Sequence, residues 1–211
     1  MFEIEYKGGN TVLVSTKKAT IVADPKLSVV GLKDMPIKDV IELATESRFA
    51  LNSREAKLVI ESPGEYGIAD FDIHGIAAQR HLDTADQEKL STIYRIEVGD
   101  VRIGLIGNIY ENLSEDQLEA LGMLDILILP VGGNGYTLDA TGAAGLVRKI
   151  DPKVVIPVHY ADSALTYEMP QDSLSTFVGE LGAPVETVSK YKCKGSASIP
   201  ATLTIVELTR S

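Results

Sequence analysis

The chain has 211 residues, 45% of them apolar, and a formal net charge of −10; that is enough apolar matter for one folded core and argues against disorder. The acidic balance argues against a nucleic-acid partner, because such a body repels phosphates unless a basic groove compensates. The longest apolar runs, 124–131 and 154–158, are too short for a bilayer span, and Met1-Phe2-Glu3-Ile4-Glu5-Tyr6 lacks the basic and apolar regions of a secretory signal, so the default expectation is a cytoplasmic chain without membrane contact.

The first hundred residues alternate in short apolar runs punctuated by Gly, Pro and Asp, which predicts strands at 2–6, 11–15, 19–23, 40–44, 57–60, 71–77, 92–98 and 101–106. Val98-Gly99-Asp100-Val101 reads as a hairpin turn between the last two. Beyond residue 110 strands alternate with helices. Ser114 and Gln117 form a capping-box pattern, and Gly122 ends that helix. A buried strand at 124–131 follows, then Gly132-Gly133-Asn134-Gly135, which reads as tight turn geometry rather than a phosphate cradle. Asp139 caps a helix with the apolar face Ala140, Ala143, Ala144, Val147 and Ile150, stopped at Asp151-Pro152. A second buried strand spans 154–158, a helix runs from about 171 to 181 and ends at Gly182, and a final strand covers 201–208. No linker or repeat divides the chain, so residues 1–211 are expected to form one domain.

Several side chains invite a chemical reading and each has a plainer one. Cys193, alone between Lys192 and Lys194, cannot form an internal disulfide and reads as incidental. His74 reads as a strand residue facing solvent, and Glu65 and Tyr66 as turn chemistry plus one packed ring after Pro63-Gly64. The mixed charges between Lys33 and Lys57 read as a solvated face. Asp24, before Pro25, is either a support for a site or a turn residue bonding its own backbone.

Segments spread over nearly the whole chain, in order, are Ile21-Val22-Ala23-Asp24-Pro25, Ser62-Pro63-Gly64-Glu65-Tyr66, Thr92-Ile93-Tyr94-Arg95-Ile96, Leu105-Ile106-Gly107-Asn108, Leu129-Pro130-Val131-Gly132-Gly133-Asn134-Gly135-Tyr136-Thr137-Leu138-Asp139-Ala140 and Pro157-Val158-His159-Tyr160. Together they resemble the metallo-β-lactamase superfamily, in particular its short branch of predicted zinc-dependent hydrolases that includes sugar-lactone hydrolases. The resemblance implies an α/β (α+β) fold, a four-layer αββα sandwich with a site at the sheet edges. It also implies a cluster His-x-His-x-Asp-His holding two zinc ions, which lower the pKa of a bound water and polarise the scissile group.

Carried onto this chain, that cluster falls on Thr45, Ser47, Phe49 and Ala50. Hydroxyls are poor neutral ligands, and Phe and Ala offer no donor. The bridging Asp corresponds to Asn108, which has lost the charge that holds two cations together. His159 matches the final His, and His81 falls in the region of the middle one.

The expectation is therefore a hydrolase-like protein whose dinuclear zinc site is largely lost, non-catalytic or with altered chemistry, with no catalytic residue assigned. Its pocket would lie near Asp24, Thr45, Ser47, Asn108 and Asn134, with His159 and His81 as the candidate metal ligands, and no cofactor at a two-metal site. Glu46 and Arg48 would form either a polar pair that binds an anion without metal, or a solvated ion pair. Two alternatives stay open. One is a hydrolase of a lactone, ester or phosphoester using a single zinc on His81 and His159 with Asp24 or Asp83; the other is a non-enzymatic binding or assembly module. A small-molecule or anionic ligand fits each, and the sequence leaves the oligomeric state open.

Overall fold

The computed structural model describes residues 1–83 and 90–211. A six-stranded sheet has the order β13-β1-β2-β3-β4-β5, built from β1 (Phe2–Gly8), β2 (Thr11–Ser15), β3 (Thr20–Ala23), β4 (Ile41–Leu43), β5 (Leu58–Ile60) and β13 (Tyr191–Cys193). An eight-stranded sheet has the order β12-β14-β11-β10-β9-β8-β7-β6. Its strands are β6 (Gly64–Ile68), β7 (Phe71–Ala78), β8 (Ser91–Val98), β9 (Val101–Leu105), β10 (Ile126–Pro130), β11 (Val154–Val158), β12 (Val185–Val188) and β14 (Thr204–Leu208).

Period-two alternation decides which side chains meet between the sheets. On β1 the residues Phe2, Ile4 and Tyr6 turn inward while Glu3, Glu5 and Lys7 do not. They join one core with Val12, Ile21, Ile41 and Leu43 of their own sheet and Tyr94, Ile96, Ile103, Ile126, Ile156 and Val206 of the other. Each such side chain contributes roughly 1.5–3 kcal/mol through its removal from water. Strands β10 and β11 are buried at every position, because a second core covers their other face with helices α1 (Glu115–Leu121), α2 (Ala140–Ile150) and α3 (Leu174–Leu181).

The helix signals act as read. Ser114 accepts from the Gln117 backbone while the Gln117 side chain bonds back to Ser114. Asp139 caps Gly142, and Asp151 ends α2 in the left-handed region before Pro152. Helix α3 starts later than the pattern predicts. The Asp172 N–H donates to the Gly132 carbonyl and the Asp172 carbonyl accepts from Ala161, so these peptide groups serve tertiary bonds instead of a first helical turn.

The two-sheet α/β sandwich is formed, with uneven helical cover. Among the described residues the three α-helices lie on the eight-stranded sheet, whereas the parallel connections β3 to β4 and β4 to β5 carry only 3-10 turns, Leu27–Val30 and Ser47–Phe49.

Two local readings are corrected, those of Glu65 with Tyr66 and of the charged segment, and Cys193 is placed. Glu65 and Tyr66 lie in β6, not in a turn: residues 64–68 pair antiparallel with β7, and the Tyr66 hydroxyl donates to the Ser62 carbonyl. Cys193 is fully buried on β13 opposite Phe2, because alternation turns it inward while Lys192 and Lys194 face out. The charged segment 33–57 is not uniformly solvated, since Glu42 and Glu46 are buried within it.

Candidate functional site

The candidate residues gather where parallel strands end, the usual place for a site in α/β folds. Asp24 follows β3 and His159 follows β11, and both adopt the left-handed region, φ 48° and 51°, as the chain turns sharply off its strand. The loop 44–50 follows β4, and Asn108 lies just beyond β9.

Asp24 is buried and each oxygen of its carboxylate bonds the loop. Oδ1 accepts from the Thr45 N–H and Oδ2 from the Thr45 hydroxyl, both at 2.7 Å. Burial pushes its pKa up to about 7, opposed by the two Thr45 hydrogen bonds. Asp24 therefore bonds a neighbouring loop and not its own backbone. Thr45 is itself buried and packs against Gly107, where a Cβ would stand 2.5 Å from the Thr45 hydroxyl oxygen.

Glu46 is only 2% exposed. Its Oε1 accepts from Arg48 Nη2 at 3.2 Å, and its Oε2 lies 2.9 Å from Arg48 Nε. The second contact is ionic and poorly aligned, leaving neither atom a hydrogen bond of good geometry. The pair is buried on its acidic side, so it is not the solvated ion pair that was one of the two expectations. Burial raises the Glu46 pKa and the Arg48 charge opposes the rise. The Arg48 guanidinium also lies over the Phe49 and Tyr136 rings, 4.6 and 4.8 Å from their centroids, and donates to the Tyr136 hydroxyl. A third buried carboxylate holds the chain just beyond this loop: Glu42, fully buried, accepts the backbone N–H groups of Leu51, Asn52 and Ser53 at 2.5, 2.8 and 3.0 Å.

His159 is buried, with its backbone N–H donated to the Gly9 carbonyl and Nδ1 3.1 Å from Gln171 Oε1. Gln171 Nε2 donates to the Met169 carbonyl, so its oxygen faces the imidazole and Nδ1 carries the hydrogen. Burial lowers the His159 pKa to about 4, which keeps the ring neutral near pH 7. Tyr136 stacks on one side and Tyr167 tilts against it, with centroids at 5.9 and 4.8 Å. Two small cavities touch the ring. One of about 20 Å³ is lined by Phe49, Tyr136 and Tyr167, the other of about 10 Å³ by Asn10, Asp24 and Phe49. Each is on the scale of one water molecule.

Asn108 accepts from Asn10 Nδ2 at 3.1 Å; its own Nδ2 and the Asn10 Oδ1 are buried without a hydrogen-bond partner among the described residues. The structure thus brings together Asp24, Thr45, Asn108 and His159. Ser47 is exposed at the rim, and Asn134 is exposed, 3.4 Å from the Gly132 carbonyl and the Asp172 carboxylate. Half-buried His81 lies after β7, where its N–H donates to the Asn108 carbonyl and its Nδ1 is 3.3 Å from the Ile109 carbonyl. Asp83 is held by Arg80. Among the described residues no three His, Cys, Asp or Glu come together as a group able to hold a metal ion.

Comparison with known proteins decides the family. The model of the beta-lactamase superfamily domain matches residues 3–159. The chain belongs to the beta-lactamase superfamily. It is 46% identical over 46 residues to a curated metal-dependent hydrolase of Thermoplasma acidophilum, a match spanning 20% of this chain and 20% of that relative. A solved metallo-β-lactamase superfamily structure from Thermotoga maritima aligns over 99% of this chain and 100% of its own, with TM-score 0.75 and 19% identity. A metallo hydrolase from Ignicoccus hospitalis aligns over 99% and 95%, with TM-score 0.63 and 16% identity. At these identities the likeness is one of fold. Among the described residues, no helix is long and apolar enough to cross a membrane.

Proposed function

We propose that this superfamily member keeps the fold of the metal-dependent hydrolases without their two-zinc chemistry, its strand-end site having become a metal-free, non-catalytic pocket. The observation that carries the reading is the content of the loop after β4. There Phe49 shares with His159 the walls of cavities of about 20 and 10 Å³, and the Arg48 guanidinium, held by Glu46, lies over the Phe49 and Tyr136 rings.

The donor set does not fit a pair of zinc ions. Two cations about 3.5–4 Å apart with a water between them need several imidazoles and carboxylates free to point at the metals. Here Asp24 accepts both Thr45 donors, His159 offers a single ring nitrogen, Nε2, Asn108 brings no charge, and among the described residues no three His, Cys, Asp or Glu come together. The one-zinc alternative lacks a cluster to hold the ion, because among the described residues no three His, Cys, Asp or Glu come together and the Asp83 carboxylate is paired with Arg80 at 2.7 Å.

Zinc titration against a chromogenic competitor, followed by lactone, ester and phosphoester hydrolysis assays, tests the reading. The expected outcome is no saturable zinc binding and no zinc-dependent turnover. Tight uptake of two equivalents with zinc-dependent hydrolysis would overturn it.

A further inference from the structure

Next to the filled pocket runs a surface groove of about 340 Å³ bordered by Glu46, Ser47, Arg48, Ser62, Arg80 and Thr92. Its two guanidinium groups are each fixed by a carboxylate that is 2% exposed. Arg80 grips Asp83 through Nε at 2.9 Å and Nη2 at 2.7 Å, and Arg48 is held by Glu46, Tyr136 and the Phe49 ring. About a third of each arginine side chain remains exposed. Among the described residues, Arg80 Nη1 has no partner, and the contacts of Arg48 leave two of its five N–H groups unused. Two guanidinium groups, each fixed by a carboxylate and each keeping N–H groups without a partner among the described residues, border one groove, a combination suited to an oxyanion.

We propose that this groove binds a small organic carboxylate between Arg48 and Arg80. The proposal rests on the metal-free reading of the adjacent loop. Carboxylate is favoured over phosphate because Glu46 and Asp83 already balance the two arginines, while Glu61, also on the groove, adds a negative charge that penalises a dianion more than a monoanion. A volume of about 340 Å³ sits at the small end of ligand pockets and fits a compact acid. Hydroxyls of Ser47, Ser62 and Thr92 on the walls suit an acid bearing hydroxyl or carbonyl groups.

The test is a titration of ¹⁵N-labelled protein with acetate, lactate and inorganic phosphate, with methyl acetate as the uncharged control, following the arginine side-chain N–H resonances. Expected are saturable shifts at Arg48 and Arg80 with lactate and acetate, weaker effects from phosphate and none from the ester. Arg80→Lys and Arg48→Lys should each weaken binding roughly tenfold, since a lysine cannot reproduce the fork. Glu61→Gln, an exposed change that leaves the fold intact, should tighten it about threefold. Phosphate binding as tightly as lactate overturns the carboxylate assignment, as does the absence of saturable shifts with any acid. Carboxylate binding that a chelator abolishes and Arg80→Lys leaves intact would place the ligand on a metal, and would overturn the metal-free reading as well.

Discussion

Two buried groups of opposite type share the strand-end site and make its stability depend on pH in opposite directions. Burial raises Asp24 from 3.8 to about 7 and lowers His159 from 6.5 to about 4. For Asp24 the folded state favours the protonated form, so its contribution is fully present below pH 4 and is lost as pH rises toward 7. That loss is about 4 kcal/mol at about 1.4 kcal/mol per pH unit. For His159 the folded state favours the neutral form, so its contribution is present above pH 6.5 and is lost as pH falls toward 4, a change of about 3 kcal/mol. In the wild-type protein the two slopes nearly cancel between pH 4 and 7. Replacing either group exposes the other. Asp24→Asn should gain on the wild type by about 4 kcal/mol as pH rises from 4 to 7. His159→Asn, chosen because Asn tolerates the left-handed backbone, should lose ground by about 3 kcal/mol over pH 4 to 6.5. Urea unfolding of the three proteins at half-unit pH steps reads both differences. If both variants run parallel to the wild type across this range, the two groups are not buried as described and the reasoning fails.

Other replacements test how the pocket is filled. Arg48→Ala leaves the Glu46 carboxylate buried without its partner and should cost about 2 kcal/mol, discounted for the partial exposure of the arginine; adding Glu46→Gln should restore part of that loss, as read by a double-mutant cycle in urea. Phe49→Ala empties space under the loop and should cost about 3 kcal/mol in the same assay. Glu42→Gln supplies one acceptor oxygen where three backbone N–H groups converge on a carboxylate; a loss of about 2 kcal/mol is expected, together with faster hydrogen exchange at Leu51, Asn52 and Ser53.

Most of the fold was legible because its signals are local. Alternation on β1 and the capping residues Ser114 and Asp139 act within a few positions, and the structure bears them out. β6 and β12 escaped because they carry no buried apolar stripe: both are sheet edges, and their backbones are chosen by the strands beside them. The late start of α3 has the same origin, a tertiary bond from Asp172 to Gly132 that no local pattern announces.

The site was legible as a set of missing donors, read off Thr45, Ser47, Phe49, Ala50 and Asn108 against the family pattern. What replaced those donors was not. Arg48 meets Tyr136 across 88 positions, Asn10 meets Asn108 across 98, and Arg80 shares a groove with Arg48 only once both sheets are assembled. Glu42, within the expected strand 40–44, read as one more charge on a solvated face, and only its three backbone donors distinguish it. Such partners are named by tertiary contact alone, whereas the loss of a ligand is visible residue by residue.

Elemental analysis of protein purified without added metal, and never exposed to a chelator, addresses the central claim most directly. The donor set described above predicts zinc far below one ion per chain. About two zinc ions per chain would contradict it.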